Sequence, residues 1–330
     1  MKKNLIFFGS SQFCLPVIES LHKNFNLSAV ITQPDKQLGR EQKLTANPVK
    51  IIARKNNIPV FTPHNVAQLL GLKIQLSTFK PDLAVVADYG LIIPKKIYAL
   101  PKFQSINIHF SRLPEFRGPS PVQYTILYGL DKAFVSVIKL AEKVDSGDII
   151  WQKNYPKLNP QSETSSSLYQ KLFSAIASDL TSFVHDYLSG KLIPVRQNDD
   201  EITSTYKLDR QNGYLPWLYF RKAFLNQPLT LNKKEFPKDS AIYEAMAKSV
   251  NPAQTIERAV RAFHPWPGVW TILPNYKRLK IITAHLDNQK LVPDVVQLEG
   301  KKEVAFKQFL EGYPEFHLLP ASSKAAKSSL

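Results

Sequence analysis

The chain has 330 residues, of which 44% are apolar and 21% charged, and its 43 Lys and Arg against 27 Asp and Glu give a formal charge of +16 at pH 7. That balance excludes a disordered chain and, at roughly 100–200 residues per domain, the length favours two domains. A single cysteine, Cys14, excludes an intramolecular disulfide and any cysteine-cluster metal site.

The first apolar run, at 5–9, follows Met1-Lys2-Lys3-Asn4 and stops at Gly9 and Ser10. It is too short for a signal-peptide core and predicts a first buried strand. No run is long enough to cross a bilayer. Further strands are expected at 27–32, 83–88, 105–110, 134–140 and 149–153, alternating with helix-like stretches. Residues 13–24 place Val17, Ile18 and Leu21 on one helical face, and 48–57 ends at Ile58-Pro59. A third helix starts near Pro119 and stops at Gly129. The stretch 162–190 carries Leu168, Leu172, Ile176, Leu180 and Val184 at helical spacing and closes on Gly190. Strands alternating with helices predict an α/β fold, a doubly wound, mostly parallel sheet.

After Gly190 the pattern changes. Residues 191–208 read as a linker, and 212–251 mixes Pro, aromatics and lysines without a sustained period. A short helix at 256–263 runs into Pro265-Trp266-Pro267-Gly268. Short apolar runs at 269–273, 279–284, 295–298 and 304–306 then predict a small β-barrel. The expected division is therefore 1–190, a linker at 191–208, 209–317 and a disordered tail at 318–330, rich in Ala, Ser and Lys.

The Gly9 turn lacks the three glycines that a dinucleotide pyrophosphate requires, so it reads as a tight turn capped by Ser10 or Ser11. The segment Ser105-Ile106-Asn107-Ile108-His109-Phe110-Ser111-Arg112-Leu113-Pro114 is more informative. Residues two apart on a strand share a face, so Asn107 and His109 project together at a strand's carboxyl end, where open α/β sheets bind ligands. A lone buried histidine is commonly a hydrogen-bonded core group; the pair, followed by a loop with Ser111, Pro114 and Gly118, favours a site. Asp145 and Asp148 flank a Ser-Gly turn before the next strand. Either is satisfied as a turn residue, or Asp145 orients His109. An amide donor beside an imidazole suits stabilisation of an oxyanion. No G-x-S-x-G is present and Cys14 has no partner nearby in sequence, which favours direct transfer over a covalent acyl-enzyme.

At these residues the chain resembles a known family. Asn107-Ile108-His109-Phe110-Ser111-Arg112-Leu113-Pro114, then Arg117-Gly118-Pro119-Ser120-Pro121 and Asp145-Ser146-Gly147-Asp148, are similar to the signature of the 10-formyltetrahydrofolate-dependent formyltransferases. The resemblance implies that Asn107, His109 and Asp145 are catalytic. It also implies that Tyr89, Gly90, Leu91 and Ile92, with the loop containing Ser111, Arg112, Leu113, Pro114 and Gly118, line the folate pocket. The donor would be 10-formyltetrahydrofolate, and no metal would be needed. Thr32-Gln33-Pro34-Asp35-Lys36-Gln37-Leu38-Gly39-Arg40 and Arg261-Ala262-Phe263-His264-Pro265-Trp266-Pro267-Gly268 resemble segments of the methionyl-tRNA formyltransferases within that superfamily. This implies a Rossmann-like catalytic domain, a C-terminal OB-like domain, and an initiator methionyl-tRNA contacted by Arg40, Lys36 and Lys43. A monomer in the cytoplasm is expected, since no Arg/Ser-rich leader precedes the first strand. Phe110, Arg112 and Asp88 depart from the family pattern; the Phe110 ring either narrows the formyl pocket or points into the core. Two alternatives share parts of this pattern: an amino-sugar N-formyltransferase using the same donor, and a nucleic-acid-binding module without catalysis.

Overall fold

The computed structural model describes residues 2–38, 43–314 and 316. The chain divides into two compact units, one built from 1–122, 132–159 and 167–206, the other from 123–131, 160–166 and 207–330.

The first unit holds strands β1 (Asn4–Phe8), β2 (Asn26–Ile31), β3 (Lys36–Leu38), β4 (Lys43–Thr45), β5 (Val60–Phe61), β6 (Leu83–Val86), β7 (Ser105–His109), β8 (Phe134–Lys139) and β9 (Ile149–Asn154). Seven form one sheet in the order β5-β2-β1-β6-β7-β8-β9, while β3 and β4 pair separately as a hairpin. From β5 to β7 all pairings are parallel, and β8 and β9 join antiparallel. The expected doubly wound, mostly parallel sheet is therefore present. Its central strands are apolar on both faces: Leu5, Ile6, Phe7 and Phe8 in β1 and Leu83, Ala84 and Val85 in β6 are no more than 1% exposed. Helices covering both faces demand this continuous apolar run instead of an alternating one. The helix Leu15–Asn24 buries Val17, Ile18 and Leu21 against the sheet, and Ser165–Leu188 buries the predicted Leu168, Leu172, Ile176, Leu180 and Val184.

The helix Pro48–Lys55 starts on Asn47, whose Oδ1 accepts from Val49 N at 2.9 Å, Lys50 N at 3.3 Å and Thr32 Oγ1 at 3.0 Å. Its Nδ2 donates to Ser10 O at 3.3 Å, tying the chain after β2 to the turn after β1. Asn47→Ala removes the cap and orphans buried donors, so thermal unfolding should show a loss of about 1–2 kcal/mol.

In the second unit, β10 (Val269–Ile272), β11 (Arg278–Asp287), β12 (Lys290–Leu298) and β13 (Glu303–Ala305) form a four-stranded antiparallel sheet in chain order. The apolar runs expected at 279–284 and 295–298 are two arms of one long hairpin. Its turn is Asn288-Gln289, with φ of 47° and 66°, the two positive φ values of a tight primed turn. Pro293 lies opposite Ala284 beside a register shift, which accommodates a residue unable to donate to the ladder. The strand expected at 304–306 stops at Ala305, and Phe306 instead opens the helix Phe306–Gly312, burying Phe306, Phe309 and Leu310. The segment 212–251, which shows no period, contains two helices, Trp217–Phe224 and Ala241–Ala247. Tyr219 and Phe220 are 1% exposed and belong to the core. No helix among the described residues is long and apolar enough to cross a membrane.

Candidate active site

β7 places Asn107 and His109 on one face and Phe110 on the other, as alternation requires. The Phe110 ring packs 4.5 Å from Phe173 and 5.6 Å from Tyr169, between sheet and helix. It fills the core and takes no space beside His109, which answers the alternative left open above.

Asp145 reaches the same place from the turn before β9, with a left-handed backbone of φ 51°, a conformation Asp tolerates better than most residues. Its Oδ1 accepts from Asn107 Nδ2 at 3.3 Å. Its Oδ2 accepts from Gly118 N at 2.9 Å and lies 3.5 Å from His109 Nδ1. The opposite ring nitrogen, Nε2, is 3.0 Å from Phe116 O. The His109 side chain is 5% exposed and that of Asp145 12%. Three residues separated by up to 38 positions thus meet around the Asp145 carboxylate at the carboxyl edge of the parallel sheet.

The loop after His109 is fixed from below. Ser136, fully buried and opposite His109 on β8, donates from Oγ to Ser111 O at 2.6 Å and accepts from Leu113 N at 3.1 Å and Gln152 Nε2 at 2.8 Å. Gln152 Nε2 also reaches Leu113 O at 3.1 Å. Leu113 and Pro114 are buried, and Ser111 Oγ donates to Glu115 O at 2.6 Å. Arg112 turns outward, its side chain 61% exposed, 3.7 Å from Glu115 and over the Phe134 ring. At Gly118, φ is 118° and a Cβ would stand 2.5 Å from Thr205 O, so only glycine fits. Phe116 N donates to Thr203 Oγ1 at 2.8 Å, and along the same strap Arg117 N donates to Thr203 O at 2.9 Å while Arg117 O accepts from Thr205 N at 2.7 Å.

Tyr89, Gly90, Leu91 and Ile92 follow β6, whose Val86 pairs with Asn107. Tyr89 is 3% exposed, edge-on to Phe8 at 5.3 Å; its hydroxyl has no hydrogen-bond partner among the described residues and burial raises its pKa. Tyr89 O accepts from Ser10 Oγ at 3.0 Å and Gln33 Nε2 at 3.1 Å. Gly90 has φ 83°, Leu91 is half-buried and Ile92 exposed. Cys14 is sealed in the core, its thiol donating to Ala87 O at 3.1 Å and pushed up to about 12, mainly by burial and then by Asp88. Such a thiol is no nucleophile at neutral pH.

Lys36 and Lys43 stand on the β3–β4 hairpin, both exposed, with Lys36 Nζ donating to Gln33 Oε1. Arg40 lies outside the described residues. Lys50 is engaged by Asp35 at 2.7 Å, and that contact, with the Asn47 N–H, holds the Asp35 carboxyl below the usual carboxylate range. Gln197, Ser136, Gln152, Thr203 and Thr205 were not singled out from the sequence. Ser136 alone leaves a signal, as a hydroxyl inside the apolar run Phe134-Val135-Ser136-Val137-Ile138.

Residues 2–180 match the model of the formyl transferase family, and 250–292 match the model of the formyl transferase C-terminal domain. The chain belongs to the formyl transferase family. It is a formyl-transferring enzyme. It is 31% identical over 318 residues to the methionyl-tRNA formyltransferase of Listeria monocytogenes, a likeness that spans 93% of this chain and 95% of the relative. Among solved structures it resembles the methionyl-tRNA formyltransferase from Clostridium thermocellum, with a TM-score of 0.55 at 17% identity over 90% of this chain and 98% of the other. It also resembles WlaRD, a sugar 3N-formyl transferase solved in the presence of dTDP and 5-N-formyl-THF, with a TM-score of 0.57 at 17% identity over 92% of this chain and 99% of the other. At such identities the two structures establish a shared fold.

Proposed function

We propose that the chain transfers the formyl group of 10-formyltetrahydrofolate to the α-amino group of initiator methionyl-tRNA by direct attack on the formyl carbon. The observation that carries this reading is the convergence of Asn107 and His109 on the Asp145 carboxylate, at 3.3 and 3.5 Å, in a chain whose only thiol is buried and protonated. The amine nitrogen forms the new C–N bond while the formyl oxygen takes up negative charge. Asn107 Nδ2 and His109 Nε2 donate to that oxygen, each worth about 3–4 kcal/mol in the transition state. For His109 this means exchanging the Phe116 carbonyl for the substrate oxygen. Asp145 orients the imidazole and takes part in removing the amine proton, directly or through water. Collapse breaks the bond from the formyl carbon to N10 of the folate, which leaves with a proton as tetrahydrofolate.

Tyr89, Gly90, Leu91 and Ile92 and the loop bearing Ser111, Arg112, Leu113, Pro114 and Gly118 would hold the folate. The two segments leave neighbouring strands at the same edge, which supports that assignment. Arg112 is exposed and would touch the donor only at the rim. The tRNA would be met by Lys36 and Lys43 on the hairpin, by Arg40 and by the second unit, in a cytoplasmic monomer. Catalysis is assigned to 1–190 and tRNA binding to 209–317.

The test is formylation of methionyl-tRNA against a nucleotide-linked amino sugar, each with 10-formyltetrahydrofolate. Formyl-methionyl-tRNA is the expected product; formylation of the sugar alone would overturn the reading. In the same assay Lys36→Ala and Lys43→Ala should raise KM for tRNA with kcat unchanged. Each should flatten the dependence of log KM on log salt by about 1, since each lost phosphate contact removes one released counterion.

A further inference from the structure

Asp145 is held by its backbone as well as its carboxylate. Gln197 lies 52 residues downstream, in the stretch 191–208 read as a linker, and is 6% exposed. Its Nε2 donates to Asp145 O at 2.8 Å and to Gly147 O at 2.7 Å. Both amide hydrogens are therefore spent on the one turn that carries Asp145. Its Oε1 accepts from Arg117 Nε at 3.0 Å. Arg117 immediately precedes Gly118, whose N–H binds Asp145 Oδ2, and follows Phe116, whose carbonyl meets His109 Nε2. Through one side chain, the turn bearing the carboxylate and the loop bearing its backbone donor are locked to each other.

The surrounding backbone fixes Gln197 in turn. Val195 and Ile149 exchange both backbone hydrogen bonds at 2.8 Å, which lays 195–197 alongside 145–149, and Thr205 N donates to Arg117 O at 2.7 Å. The need for such a clamp follows from the turn itself. Asp145 has φ 51°, and an amide that binds carbonyls on both sides of Ser146 pins that left-handed conformation against relaxation. From these contacts we infer that Gln197 is a positioning residue for formyl transfer, setting the Asp145 carboxylate between Asn107, His109 and Gly118 without touching substrate. Glutamine is suited to the task because it offers two donors to the carbonyls and one acceptor to the guanidinium. Glutamate keeps the shape and the acceptor but presents oxygen to two carbonyls.

The inference rests on the role given to Asp145 above. It is tested with Gln197→Glu and Gln197→Leu in the full chain, each made alone and with Asp145→Asn. Each single variant should lower kcat by about 100-fold, the effect of misplacing a reacting group by an ångström, while KM for folate and for tRNA stay unchanged. In the Asp145→Asn background the same substitutions should lower kcat less than about 2-fold, because a residue acting only through Asp145 has nothing left to position. A full additional loss in that background, an unchanged kcat in the singles, or a loss of folding in both would overturn the assignment. An Asp145→Asn chain with wild-type turnover would instead overturn the role of Asp145 itself, so the two failures are distinguishable.

Discussion

Replacing Asn107 with alanine lowers kcat for formyl transfer by about 10²–10³-fold and leaves KM for methionyl-tRNA unchanged. The split follows from what the amide does. Among the described residues Asn107 Nδ2 meets only Asp145 Oδ1, at 3.3 Å, a long contact whose loss costs little stability. Asp145 keeps its other oxygen on the Gly118 N–H at 2.9 Å, so the carboxylate stays in place. The missing donor is felt when charge develops on the formyl oxygen, and an interaction made only then appears in kcat and kcat/KM equally. His109→Ala should produce a loss of similar size, and the double variant less than the product of the two, because both donors address one oxygen. Steady-state kinetics with each substrate varied provide the check. An Asn107→Ala enzyme with wild-type kcat and raised KM would make the amide a binding group.

The core of this site could be read in the sequence because its signal is local. Asn107 and His109 interrupt an apolar strand at a spacing of two, and period-two geometry alone puts them on one face. The Asp145-Ser146-Gly147-Asp148 turn announces itself by composition, although only pairing of β7 with β8 and β8 with β9 brings it to His109. Gln197 carries no such mark. It stands in the polar stretch Arg196-Gln197-Asn198-Asp199-Asp200, and nothing in one dimension separates a buried amide there from its solvated neighbours.

The fold divides on the same line. Strands of the parallel sheet are legible because they are apolar on both faces, and the helix Ser165–Leu188 because its stripe persists for 24 residues. The helices Val66–Gly71 and Lys73–Thr78 are missed because they are short and bury little: Leu69 and Leu76 are inside while Ile74 is 80% exposed. Trp217–Phe224 buries Tyr219, Phe220 and Ala223 on one side, but at eight residues it is too short for that face to repeat as a period in the sequence. The hairpin at Asn288-Gln289 is hidden by Asp287, Asp294 and Pro293, which dilute the alternation in arms that are half solvated.

Gly147 yields the second large effect, and a purely steric one. A Cβ there would stand 1.8 Å from Lys139 O and 2.8 Å from Lys139 C, backbone atoms at the end of β8 that no rotamer change can move. Unlike Gly118, Gly147 does not occupy the left-handed region, so conformational freedom is not what its position requires; the close approach is. Gly147→Ala must therefore push the turn off the strand, at about 3 kcal/mol, the upper end of overpacking costs. The displacement pulls Gly147 O from Gln197 and carries Asp145 with it, so kcat should fall together with the melting temperature. Gly71→Ala provides the control. Its added Cβ meets nothing within 4 Å and its backbone is helical, so it should gain about 0.4–1 kcal/mol from the unfolded chain's lost freedom and leave kcat untouched. Thermal unfolding and turnover measured on both variants separate the two cases. A Gly147→Ala enzyme that melts and turns over like wild type would mean that the turn can retreat from Lys139 without moving Asp145. The close packing of that turn on β8 would then have no part in placing the carboxylate.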